Sequence, residues 1–342
     1  MVVAPYPWCQ EAADALSQMT NELPNAILLH GAAGSGGFDL AKAFAQSLLC
    51  ETPLMDGAPC GECPGCRLLA AGTHPDLRIV VSEYIAALYD LPYTPAENES
   101  TEKKKLSREL RIHQFRALSE FTVTSPHRGG RRIVLVYPAD MIRAEAAASL
   151  LKTLEEPTPG LHFILVADDI DGVLPTIRSR SRLLRLKRPS RDEALAWLKA
   201  RQVKNAEEAL ALAGGSPLAV VEERDGEVLS QKAQSALLNA LFKGKKLGVS
   251  DVLALYSAEM TAPAVAGFLS RFAYDLIRVK AGVAPYYFIK DRVEMVDLVT
   301  GVPDERLFAW QERVAEMCRS QEHPLSQQQV FEAIFISYME LF

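Results

Sequence analysis

What this 342-residue sequence lacks narrows it first. It has no stretch of about 18 apolar, uncharged residues, so nothing in it reads as a membrane-spanning helix. The N-terminus carries neither the basic nor the apolar region of a signal peptide, and a cytoplasmic protein with no membrane partner is expected. Excess basic charge is missing as well. A net charge of −6 argues against a surface devoted wholly to nucleic acid, although it leaves room for a local basic patch. Internal repeats and low-complexity tracts are absent. The remainder, 49% hydrophobic and 23% charged, is an ordinary globular composition. Single cores rarely exceed about 250–300 residues, so the chain has room for two or three domains.

A second absence is chemical. Leu28-Leu29-His30-Gly31-Ala32-Ala33-Gly34-Ser35-Gly36-Gly37-Phe38-Asp39 reads as an apolar strand, a glycine-rich turn and the start of an amphipathic helix. A working phosphate-binding loop has the form G-x-x-x-x-G-K-[ST]: its backbone N–H groups cradle phosphates, its lysine reaches the outer phosphates and its hydroxyl holds magnesium. Gly31 and Gly36 keep that spacing, but Gly37 stands in place of the lysine and Phe38 in place of the hydroxyl. Asp39 adds a carboxylate in the first helical turn, where it is expected to satisfy the helix N-terminus and repel a phosphate. The degenerate loop Gly31, Gly34, Gly36, Gly37 therefore predicts a nucleotide-binding fold without its own nucleotide. Nor is the second requirement met. The apolar run Ile133–Val136 leads into Tyr137-Pro138-Ala139-Asp140, where hydrolysis needs an Asp-Glu pair to hold magnesium and activate water. Asp140 is read as the cap of the next helix.

Short β-branched runs at Ala26–His30, Leu77–Val81, Ile133–Tyr137, His162–Ala167 and Leu183–Leu186 alternate with helical stretches, the βαβ signature of a mostly parallel sheet. Beyond Pro189 the strands stop. Ser190–Glu193 and Asn205–Glu208 read as capping boxes, and Gly214-Gly215-Ser216-Pro217 breaks the chain before a third helix. From about Glu227 the pattern is helical, with apolar stripes in Ala233–Phe242, Ala262–Ile277 and Val330–Phe342. This predicts an α/β domain over 1–188, a small helical lid over 189–226 and an all-helical domain over 227–342. The polar segment Glu97–Lys105 is expected to be a solvated loop.

Of the six cysteines, four are spaced C-x9-C-x2-C-x2-C as Cys50, Cys60, Cys63 and Cys66, with Pro59, Gly61, Pro64 and Gly65 shaping the turns. Such spacing lets four thiolates close on one tetrahedral zinc, leaving no position for substrate water, so a structural zinc in an insertion at 50–66 is predicted. Cys9 and Cys318 read as isolated packed cysteines.

Within Ser149-Leu150-Leu151-Lys152-Thr153-Leu154-Glu155-Glu156-Pro157, residues Ala144, Ala147, Leu151 and Leu154 define a face expected to pack on the sheet, and Pro157 ends the helix. The run L-L-K-T-L-E-E-P, the later triplet Ser179-Arg180-Ser181, the four-cysteine insertion, Gly72-Thr73-His74-Pro75-Asp76 and Pro126-His127-Arg128-Gly129-Gly130 together resemble the AAA+ clamp-loader family. The match covers nearly the whole chain in order and is most specific between Leu28 and Val220.

That resemblance implies an α/β P-loop NTPase-like (AAA+) domain, a lid and an all-α collar that joins the collars of other subunits. It implies a non-catalytic clamp-loader subunit of the replicative DNA polymerase III holoenzyme. Its partners would be ATPase subunits of the gamma/tau type and a delta subunit, and indirectly the sliding clamp and primer-template DNA. Active relatives also place an arginine after Gly-Ser-x in the lid; here Gly215-Ser216-Pro217 is followed by Leu218. Residue chemistry alone cannot separate Arg178, Arg180 and Arg182, which would share one side of an extended segment. The family's Ser-Arg-Cys motif selects Arg180 as a finger reaching the ATP of a neighbouring subunit, with Ser181 in place of the usual cysteine. Arg178, Arg182 and Arg185 are left as solvated or sheet-edge charges. Two other functions compete: an unorthodox ATPase importing Lys152, and a zinc-containing nucleic-acid-binding protein using Arg178–Arg188. The second lacks the aromatic residues that single-strand binders interleave with their basic ones.

Overall fold

The computed structural model describes residues 2–93, 95, 106–128, 130–221, 229–256, 260–319 and 327–342. The segment Glu97–Lys105, residue Gly129 and the expected boundary at Glu227 lie outside the described residues. The chain divides into two compact units, Met1–Glu193 and Ala194–Phe342.

Unit one is built on five parallel strands, β1 (Ala26–His30), β2 (Leu77–Val81), β3 (Arg132–Tyr137), β4 (Leu161–Ala167) and β5 (Arg182–Arg185), in the order β2-β3-β4-β1-β5. The uninterrupted apolar runs of β1, β3 and β4 are buried along almost their whole length, as parallel strands covered on both faces must be. By contrast, the edge strand β5 carries exposed Arg182 and Arg185. The order sets the C-terminal ends of β3, β4 and β1 side by side, where open α/β sheets form their binding crevice.

The helix Ala144–Glu155 buries Ala146, Ala147, Leu150 and Leu154. Its inward stripe is thus rotated from the expected one: Ala144 is exposed and Leu151 only partly buried. The first helical residue precedes the turn that meets the sheet, so the stripe begins at Ala146. Asp140 departs from expectation as well. It lies in a short 3-10 turn, Ala139–Met141, and its carboxylate accepts from the Asp168 N–H at 3.1 Å, tying the end of β3 to the end of β4. Burial raises its pKa. The N-cap of Ala144–Glu155 is Arg143, without a side-chain cap bond.

Unit two is helical throughout its described residues. The box at Ser190–Glu193, where the chain leaves the first unit, forms as expected: Glu193 Oε2 accepts from the Ser190 N–H at 2.9 Å and Ser190 Oγ from the Glu193 N–H at 3.3 Å. The second expected box does not form. Asn205 sits at φ 50°, ψ 40°, a left-handed conformation that turns its side chain away from the helix it precedes, whereas capping needs the extended region. The core of the unit gathers around the helix Ala262–Lys280, with Phe268 and Phe272 packed among Leu241, Met295, Val314, Phe331, Phe335 and Tyr338. Asp275 is fully buried there. Its carboxylate accepts from the Tyr286, Tyr287 and Phe288 N–H groups at 2.7, 2.8 and 2.8 Å, so the charge is compensated entirely by backbone donors. Leu218, which stands where active relatives carry the lid arginine, is a core residue at 3% exposure.

Candidate functional site

The four cysteines converge at the end of the helix Gly37–Leu49, whose C-cap is Cys50. Their sulfurs all lie within 4.8 Å of one another, with Cys50 Sγ 3.7 Å from Cys60 Sγ and 3.9 Å from Cys63 Sγ. Four sulfurs at about 2.3 Å from a tetrahedral metal would sit about 3.8 Å apart, so the cluster is spaced for an ion. These separations are far too long for disulfides, whose sulfurs are bonded at about 2.05 Å. Backbone N–H groups point at the sulfurs: Cys60 N at Cys50 Sγ, Cys63 N at Cys60 Sγ and Cys66 N at Cys63 Sγ, each 3.3 Å. Such donors stabilise thiolate charge and hold the ligands in orientation. The Thr52 hydroxyl, aided by the Cys63 and Glu62 N–H groups, lowers the Cys60 thiol to about 6, whereas burial, reinforced by Cys63, pushes Cys66 up to about 12. Gly65 is needed for a steric reason. A Cβ there would lie 2.8 Å from the Leu49 carbonyl oxygen, so only glycine lets the helix Pro64–Ala70 approach this closely.

The module is tied to the sheet by charges that the sequence pattern did not reveal. Glu51, next to Cys50, pairs with Arg128 Nε at 2.5 Å. Asp76, fully buried, accepts from the His127 and Arg128 N–H groups at 2.8 and 2.7 Å, while its own N–H donates to His74 Nδ1 at 3.1 Å. Because Nδ1 accepts that bond, the ring proton belongs on Nε2, and burial lowers the pKa of His74. The two short motifs around Asp76 and Arg128 are thus one structure. The sequence marked both motifs as family resemblances but gave no sign that they meet.

Beside the ends of β1 and β3, the glycine-rich loop takes the expected path. Gly36 is the N-cap of Gly37–Leu49 at φ 83°. Aromatic rings pack at the start of that helix. Phe38 is 3% exposed, stacks on Tyr137 with ring centroids 5.0 Å apart and 20° between planes, and meets the edge of Tyr89 at 5.0 Å. The Tyr137 hydroxyl donates to Asp168 Oδ2 at 2.9 Å. The residues replacing the magnesium hydroxyl and the first catalytic carboxylate therefore stack on each other. From the other side, Trp8 Nε1 donates to the Ser35 carbonyl at 3.0 Å, and a Cβ on Gly36 would lie 2.5 Å from the Tyr6 ring. Asp39 lies in the first helical turn as expected, where its carboxylate accepts from the Tyr6 hydroxyl at 2.7 Å and pairs with Lys42 at 2.8 Å. Cys9 is buried, its thiol 3.5 Å from the Ser35 carbonyl and pushed up to about 12 by burial, in keeping with a packed cysteine. The Cys318 side chain lies outside the described residues.

Arg180 lies not on an extended segment but on a turn that follows the helix Pro175–Arg178, its N–H bonded to the Ile177 carbonyl at 3.2 Å. Pro175 starts that helix and β5 begins only at Arg182, so the three arginines point in different directions. Arg178 reaches back to Asp171 at 3.5 Å and the Ile170 carbonyl at 3.4 Å, while Arg182 is an exposed residue of the edge strand. Arg180 Nη1 donates to the Thr176 carbonyl at 3.1 Å and Nη2 pairs with Glu155 Oε1 at 2.5 Å. Ser181, in place of the family's cysteine, closes the turn by donating to the Ile177 carbonyl at 2.9 Å. Lys152 is exposed in the last turn of its helix.

The family described as "DNA polymerase III, delta subunit" matches residues 10–190. A protein named DNA polymerase III subunit delta′ from Pseudomonas aeruginosa is 38% identical over 234 residues, 67% of this chain and 64% of that protein. One of the same name from Haemophilus influenzae is 29% identical over 68% of this chain and 65% of its own length. Over these matches the chain spans slightly less than two thirds of either relative. The Escherichia coli protein of that name is 29% identical over 94% of this chain and 90% of its own. No helix among the described residues is long and apolar enough to cross a membrane.

Proposed function

Because the chain belongs to the DNA polymerase III delta-subunit family, whose relatives here carry the name delta′, we propose that it is a non-catalytic subunit of a clamp loader. In this reading it neither holds nor hydrolyses ATP itself. It supplies Arg180 to the ATP site of a neighbouring gamma/tau-type subunit, assembles with a delta subunit, and helps place the sliding clamp on primed DNA. The 189–226 segment would act as the lid and 227–342 as the collar that binds the other subunits. One structural zinc would be held by Cys50, Cys60, Cys63 and Cys66, where its chemistry is to lock the insertion rather than to activate water.

The stacked pair Phe38 and Tyr137 carries this reading. Mere loss of a lysine and a hydroxyl would leave an open loop able to bind a phosphate weakly through its backbone. Two buried rings at those positions remove the volume and the polarity together. The isolated chain should therefore show no saturable binding of a fluorescent ATP analogue up to millimolar concentration. The double change Gly37→Lys and Phe38→Thr should create no turnover. A Cβ at residue 37 meets Leu186 Cδ1 at 2.8 Å, and Tyr137 and Pro138 still offer magnesium and water no ligand. Hydrolysis by that variant at the rate of an active AAA+ protein would overturn this account.

The broader experiment is a pull-down from cytosol using the full chain. An ATPase with an intact phosphate-binding loop should come with it. Recovery of nucleic acid alone, with the steep salt dependence of phosphate neutralisation, would favour the competing nucleic-acid-binding reading.

A further inference from the structure

Glu155 is a carboxylate at an unfavourable end of its helix. It falls in the last turn of Ala144–Glu155, where the aligned peptide dipoles place partial negative charge and where a cation is preferred. Half exposed, it gains nothing from burial either. What compensates it is Arg180, whose Nη2 meets Glu155 Oε1 at 2.5 Å. The same guanidinium is held from its own turn by the Thr176 carbonyl at 3.1 Å and the Ser179 hydroxyl at 3.3 Å, both through Nη1. Three acceptors thus define the plane and direction of a guanidinium whose side chain is 36% exposed.

We propose that Glu155 is the positioning residue for Arg180: it fixes the guanidinium in a single orientation, ready to meet the phosphates of a neighbouring subunit's nucleotide. This rests on the assignment of Arg180 as the finger. An exposed arginine left to itself samples many rotamers, and whatever order the reaction requires must be imposed when phosphate binds. Anchoring two of the fork's nitrogens beforehand removes most of that ordering, which is how a supporting residue raises the rate without touching substrate. An exposed ion pair is also weak enough for the guanidinium to adjust once phosphate oxygens arrive. The consequence differs from that of a charge-neutralising latch, which would hold Arg180 back and whose removal would speed the reaction.

The test uses the reconstituted loader with full-length chains and compares Arg180→Ala, Glu155→Ala, Glu155→Gln and the double variant Glu155→Ala/Arg180→Ala. The readout is the single-turnover rate of clamp- and DNA-stimulated ATP hydrolysis. Glu155→Ala should slow the step about 5- to 20-fold while leaving the ATP concentration for half-saturation within about twofold, as expected for ordering without a direct contact. Glu155→Gln, which keeps the acceptor oxygen, should recover at least half of that loss. In the Arg180→Ala background, Glu155→Ala should change nothing further, since coupled residues are not additive. Unaltered thermal unfolding of the Glu155 variants checks the fold.

If Arg180→Ala is impaired but Glu155→Ala is normal or faster, the positioning role is wrong and the finger stands. If Glu155→Ala slows the Arg180→Ala variant as much as it slows the wild type, the residue acts through its helix and the proposal fails. Full activity of Arg180→Ala removes the finger assignment, and this inference with it.

Discussion

Arg180→Ala should slow single-turnover ATP hydrolysis by about 10³-fold or more at the one nucleotide site this subunit completes, the usual range for an arginine supplied in trans. Steady-state turnover by the assembled loader should fall only by that site's share, so the pre-steady-state measurement is the informative one. Because Arg180 is exposed and its partners among the described residues are Thr176, Ser179 and Glu155, its removal should leave the chain folded and the complex assembled, as sedimentation would show. Arg180→Lys should restore little, for an ammonium keeps the charge but not the planar fork that meets two phosphate oxygens together. Arg178→Ala and Arg182→Ala serve as controls of equal charge. The first removes a tie within its own loop to Asp171 and the second a residue of the β5 edge, so neither should slow the chemistry by more than about twofold. Equal loss from all three alanine variants would mean general electrostatics and would sink the assignment.

Protein purified without added zinc should contain close to one equivalent of the metal, and Cys66→Ser should reduce that content to near zero. The expected effect on stability is also large. A metal present at about 100 to 1,000 times its Kd stabilises the folded state by about 2.7–4.1 kcal/mol. In a unit the size of Met1–Glu193 that corresponds to a fall in Tm of about 5–15 °C on chelation or ligand loss. Two controls separate coordination from packing. Cys9→Ser alters a buried thiol at Ser35 and should leave the metal content at one, as should Glu51→Ala, which removes the pair with Arg128 but no sulfur ligand. Metal near zero in the wild-type protein, or an undiminished equivalent in Cys66→Ser, would refute the site.

These two experiments probe features of different legibility. The cysteine cluster was readable because its ligands fall within a short segment whose spacing itself constrains geometry. The strands were readable for the same reason: β1 and β2 have the expected boundaries, β3 and β4 begin one residue early, and β5 is shifted one residue towards the N-terminus at both ends. Period and punctuation act over a few residues, so they survive without knowledge of the fold. The missing lysine and hydroxyl of the glycine-rich loop are of this kind too, as is the end of the helix before Pro157.

Contacts between distant segments were not legible, because they depend on the strand order β2-β3-β4-β1-β5 rather than on any local period. Placing β4 between β3 and β1 is what brings the Tyr137 end of β3 and the helix carrying Phe38 to one crevice, where the two rings can stack. The same order sets Asp140 against Asp168, so that a carboxylate expected to cap a helix instead joins two strands. Asn205 fails as a cap because of a backbone angle, which residue type biases but does not dictate. Glu155 and Arg180 meet only because their helix and turn pack together. The sequence by itself thus determined the strand and helix pattern, the clustering of four cysteines and the absence of the lysine and hydroxyl from the glycine-rich loop, since each is a property of neighbours along the chain. Tertiary structure alone decided that Phe38 stacks on Tyr137 and that Glu155 holds Arg180, since both are properties of neighbours in space.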